Sequence, residues 1–182
     1  GASGSISLST GLGSGAQAGS IDVLSGNSVE GSGSNIALQA GTSELLTGGI
    51  VAVQSGDSTL GSSGRIDIAS GDGAASGSAL ISTGSSVEAN TGAIQLITGR
   101  SVDGAGGDIA IVVGEISSGA ASGGSITANA GSSAERNGGH VQIVSGAGTE
   151  LGSGQILMQT GDAPQTGASG SVGIRTGVSS DG

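Results

Sequence analysis

The chain has 182 residues and a net charge of −10, from 14 acidic residues against four Arg and no Lys, and it holds no Cys, Phe, Trp or Tyr. That composition excludes a disulfide scaffold and an aromatic core, and its sign disfavours nucleic acid, since no basic patch is present to displace counterions from phosphates. No run of about 18 apolar residues offers a membrane span.

Glycine (41) and serine (34) dominate the composition. Taken alone this reads as low complexity, but the apolar residues are spaced regularly, as a flexible linker would not space them. A Gly closes each apolar run: Gly11, Gly26, Gly41, Gly56, Gly71, Gly84, Gly99, Gly114, Gly131, Gly146, Gly161 and Gly177. Successive spacings are 15, 15, 15, 15, 13, 15, 15, 17, 15, 15 and 16, so twelve rungs fill residues 1–182 as a single repeat domain.

With the anchor Gly as position seven, each rung carries apolar residues at positions two and four. Period-two alternation, β-branched residues and a bounding Gly predict a strand in every rung. Odd rungs hold Ile6, Ile36, Ile66, Ile94, Ile126 and Ile156 at position two, whereas even rungs mix Ile, Val and Ala there. At position four the even rungs are all β-branched: Val23, Val53, Ile81, Ile111, Ile143 and Ile174. Two packing environments imply two sheets. The expectation is therefore an all-β parallel β-solenoid (β-helix), flattened, with about six turns of about 30 residues and these columns as its core. The anchor glycines are expected to supply positive φ at its corners. Position six is mostly Thr, Ser or Ala, suited to the narrow end of a core. Val29, Leu45, Leu46, Leu60, Val87, Val102 and Leu151, in the return loops, are expected to cap that core. On this reading Ile94→Asp disrupts folding, because it buries an unpaired charge.

Chemistry-bearing residues are sparse. His140 is the single His and has no partner cluster, so neither a metal site nor a triad is expected, and no cofactor or catalysis. The Asp residues hold no fixed column, unlike the nine-residue calcium repeats. Glu30, Glu88 and Glu150 share one loop column, with Leu60 and Ser118 between them, which reads as charge spacing. Outward Leu24, Leu80, Val112 and Val144 are candidates for a lateral contact.

The whole chain resembles Gly/Ser-rich β-solenoid repeats of extracellular fibres, adhesins and surface appendages. That resemblance implies a rigid structural building block at the cell surface, partnered with itself. Head-to-tail continuation is expected, because joining Gly177 to the Gly11 of a second copy gives 16 residues, within the internal range. The absence of a signal peptide suggests an excised or mature segment. A glycan- or surface-binding adhesin is the alternative. Ice binding is disfavoured because no outward face repeats, and a pectin-lyase-like enzyme is disfavoured by the missing Lys and scattered Asp.

Overall fold

A computed structural model describes residues 3–15, 17–117, 122–163 and 166–179. Neither helix nor strand is present among the described residues, and the chain is mostly coil. It is not a parallel β-solenoid or β-helix. The period read from the sequence is nevertheless present in the backbone, as a bend that recurs at the same place in successive rungs.

The backbone forms two units, Gly1–Gly92 and Ala93–Gly182. In the first, the chain bends at 14–15, 29–31, 44–46, 59–61, 73–75 and 87–89. In the second, bends at 102–104, 134–136, 149–151 and 166–167 are described. After Gly26, Gly41, Gly56, Gly84, Gly99, Gly131 and Gly146 the bend occupies the third to fifth following residues. The loop extended by two residues in Gly114–Gly124 lies partly outside the described residues.

Each bend is flanked by a neck, where the chain passes close to itself. The amides of Gly49, Gly64, Gly139 and Gly154 donate to the carbonyls of Gly41, Gly56, Gly131 and Gly146 at 2.8, 3.0, 2.8 and 2.9 Å. Ser34 donates to the Gly26 carbonyl at 3.4 Å, and the Ser25 hydroxyl donates to the Ser34 carbonyl at 3.1 Å. All these backbone bonds span eight residues.

In the loops of full length, side-chain bulk at position six separates the necks that close from those that do not; the loop after Gly71, two residues shorter, stays open although Ser70 holds that position. Ser25, Ala40, Ser55, Ala130 and Ser145 precede the anchors of the five bonded necks. At Thr10, Thr83, Thr98 and Thr160 no backbone bond closes; there Gly19, Gly92, Gly107 and Gly170 face the Thr γ-methyl instead. A Cβ on Gly49 would lie 3.2 Å from both the Ala40 Cβ and the Gly41 nitrogen. On Gly107 it would touch only Thr98, with the anchor backbone beyond reach. The branched methyl holds the two passes of chain apart, and glycine on the returning pass lets them meet most closely, at 2.8–3.0 Å against 3.4 Å where Ser34 takes that place.

Away from the necks nothing covers the chain. Ile6, Ile36, Ile66, Ile94, Ile126, Ile156, Val23, Val53, Ile81, Ile111, Ile143 and Ile174, the expected core columns, are all exposed, and no residue among those described is buried. Position two is less exposed than position four in these rungs: Val51 and Ile66, at position two, are 49% and 47% exposed, and Val53 and Ile68, at position four, 67% and 82%. The residues with partial cover are Ala40, Ser55, Ser145 and Thr160, all at position six, and Ala163. The accessible surface is 18394 Å². A compact chain of this mass exposes about 7,600 Å² and an unfolded one about 24,000 Å².

The expected core fails for two reasons. A solenoid places its hydrogen bonds between segments a full turn apart, whereas the bonds here close eight-residue loops and leave no ladder. The apolar columns also contain no aromatic side chain. A thin Ile/Val/Leu layer without a ladder does not offset ordering costs of about 1–2 kcal/mol per residue. The corner expectation is corrected too: the anchor glycines do not have positive φ, and among the described residues Gly15, at φ 104°, does.

Two outcomes follow. Ile94→Asp leaves the far-UV circular dichroism and sedimentation of the isolated chain unchanged, because Ile94 is already exposed. Thr98→Ser closes the Gly107–Gly99 neck and slows hydrogen exchange at the Gly107 amide about two- to tenfold, as expected for one net hydrogen bond of about 0.5–1.5 kcal/mol.

Candidate functional site

The best-defined side-chain geometry lies at the bends and is built by a serine two residues after the anchor. The hydroxyl oxygens of Ser28, Ser43, Ser58, Ser86, Ser101 and Ser133 accept hydrogen bonds from the amides of Gly31, Leu46, Gly61, Ala89, Gly104 and Arg136, at 2.8–3.1 Å. Ser favours such local bonds to the backbone three residues on, and thereby sets a turn without help from a core. This Ser column is missed by the apolar pattern, but the G-x-S that recurs after Gly26, Gly41, Gly56, Gly84, Gly99 and Gly131 would have found it.

Three bends have glycine at that position instead, Gly13, Gly73 and Gly148. A Cβ on Gly73 would lie 3.1 Å from the Ala75 carbonyl oxygen, and one on Gly148 would collide with the Gly152 carbonyl oxygen. The position thus takes either a serine that bonds the turn or a glycine that lets the backbone fold onto itself.

Most tips present an aliphatic residue, a carboxylate or both; the bends at 14–15 and 166–167, Ser14-Gly15 and Thr166-Gly167, present neither. Val29, Leu45, Leu46, Leu60, Val87, Val102 and Leu151 sit in the bends and are exposed, so they cap no core. Glu30, Glu88 and Glu150 occupy the middle of their bends, as do Asp103 and Glu135. The Glu column does not include these last two residues, but the bends place all five alike. Ser118, expected in the same column, lies outside the described residues.

The remaining candidates are isolated. His140 is exposed. Arg65 and Asp67 form an ion pair at 2.7 Å, and the Ser20 hydroxyl donates to Asp22 at 3.2 Å. Both interactions are solvent-exposed, so the ion pair adds little to stability. Outward Leu24, Leu80, Val112 and Val144 are exposed as expected, alongside the equally exposed columns. Among the described residues no cavity opens, no group of three or more His, Cys, Asp or Glu converges, and no helix is long and apolar enough to cross a membrane. Comparison with protein-family models, with curated proteins and with solved structures finds no match.

The two ways of building a bend are separable by mutation. Ser58→Ala removes the bond to Gly61 and raises exchange at that amide about two- to tenfold, leaving the neck amide of Gly64 slow. Gly148→Ala forces the Gly152 carbonyl aside, opens the neck, and accelerates exchange at Gly154 as well.

Proposed function

We propose that this chain is a non-catalytic structural repeat, a segment of an extracellular filament, stalk or surface appendage, whose apolar positions are covered by further copies of the same repeat. The observation that carries this reading is the coincidence of a repeat filling the chain with a complete lack of burial at its apolar columns. The surface in excess of a compact chain is on the order of 10,000 Å², several times the roughly 1,600 Å² of one stable interface. A partner with the same period matches that surface rung by rung, and a second copy has that period by construction. The reading requires no particular secondary structure in the assembly.

Electron microscopy of the native material, with sedimentation of the purified chain over a range of concentrations, tests it. Filaments or a longer covalent array are expected. Monodisperse 16.6 kDa particles in the native material would sink the proposal. Ile94→Asp, silent in the isolated chain, is expected to weaken assembly at least tenfold in critical concentration, on the order of the 1.5–3 kcal/mol that one buried apolar side chain supplies.

An adhesin is the second reading, favoured by the exposed aliphatic and acidic bend tips. Saturable binding on a glycan array supports it, and a blank array removes it.

A further inference from the structure

We propose that Ser28, Ser86, Ser101 and Ser133 are phosphorylation sites for an acidophilic serine kinase, one that reads a carboxylate two residues after the acceptor. The four form a set on three independent observations. Each is exposed and stands immediately before its three-residue bend. Each hydroxyl oxygen is held by one backbone amide, at 2.8, 3.1, 3.0 and 3.0 Å. And each is followed two residues later by a carboxylate, Glu30, Glu88, Asp103 or Glu135, at the middle of the bend. The sequences are Ser-Val-Glu, Ser-Val-Glu, Ser-Val-Asp and Ser-Ala-Glu.

An exposed bend lets the chain enter a kinase groove at little cost, because only the local serine–amide bond, and no packed fold, has to open to present the acceptor. The amide bond uses one lone pair of the hydroxyl and leaves the other, with the proton, free. In the transfer, that oxygen attacks the γ-phosphorus of ATP. The bond from that phosphorus to the bridging oxygen breaks, ADP leaves with the electron pair, and the hydroxyl proton passes to the kinase's base. The phosphate gains a ready partner in the same backbone amide, now through a stronger charge-assisted bond. Each event adds about −1.5 to −2 of charge at a bend tip, so the modification raises like-charge repulsion between copies.

Four other serines carry the same spacing, Ser20 before Asp22, Ser55 before Asp57, Ser70 before Asp72 and Ser179 before Asp181, and the first three, which lie outside the bends, act as internal controls. The Ser20 hydroxyl is already committed to its own Asp22, and Ser55 is partly covered at a neck. Ser28 and Ser86 are the strongest of the four acceptors. Arg100 precedes Ser101 and Arg136 follows Ser133 by three residues, which weakens the acidic signature at those two bends.

The full chain, incubated with a purified acidophilic serine kinase and magnesium ATP, is followed by fragment mass spectrometry. Initial rates at Ser28 and Ser86 on the order of tenfold above those at Ser20, Ser55 and Ser70 are expected: the controls carry the same following carboxylate, so the difference reports presentation of the acceptor at a bend, on the scale of about one hydrogen bond. E30Q should slow Ser28 alone and E88Q Ser86 alone. Equal rates at bend and control serines, or an E30Q chain modified at Ser28 as fast as the parent, overturn the proposal. So does native material whose Ser28 and Ser86 carry no phosphate. None of these outcomes depends on whether the chain forms filaments.

Discussion

The close self-approach at the neck is the interaction on which the rest of this structure depends. The returning pass comes within reach of the anchor backbone, and in five necks an amide, that of glycine in four and of Ser34 in the fifth, donates across the gap. Everything else is placed relative to that point: the bend beyond it, the partly covered position-six side chain beside it, and the apolar residues that emerge from it. In the full-length loops a single methyl, that of Thr against Ser or Ala, separates open necks from closed ones, while the shortened loop after Gly71 stays open with Ser70 at that position.

Order in this chain is consequently local. A serine bond three residues long and a neck bond eight residues long recur in succession, and the eight-residue bond sets the longest backbone span among the described residues. Hydrogen bonds of this kind are worth about 1 kcal/mol each in water and do not cooperate as a ladder would. The apolar columns are left as surface, and it is this unsatisfied surface that makes assembly with like chains the reading favoured for function.

Much of the candidate site was legible from residue types. The period, the anchor glycines and the Glu column all map onto the bends. The bends add Asp103 and Glu135 to Glu30, Glu88 and Glu150, whereas the sequence reading rests on the odd–even difference between Ile and Val columns as two packing environments. That difference exists in the sequence, but with both columns exposed it reports no packing at all. Likewise the Thr, Ser and Ala of position six suited a narrowing core, and they prove to matter for the width of a loop neck.

By itself the sequence determined the repeat length, the placement of bends, the residues at each bend tip and the acidic charge, since these depend on contacts no more than about nine residues apart. The tertiary structure alone decided that the rungs do not pair. Pairing depends on whether bonds between segments a turn apart outweigh the entropy of ordering them, a balance that a repeating pattern of Ile and Val does not carry. An apolar residue at a fixed period shows where a face would lie, and only the three-dimensional chain shows whether anything covers it.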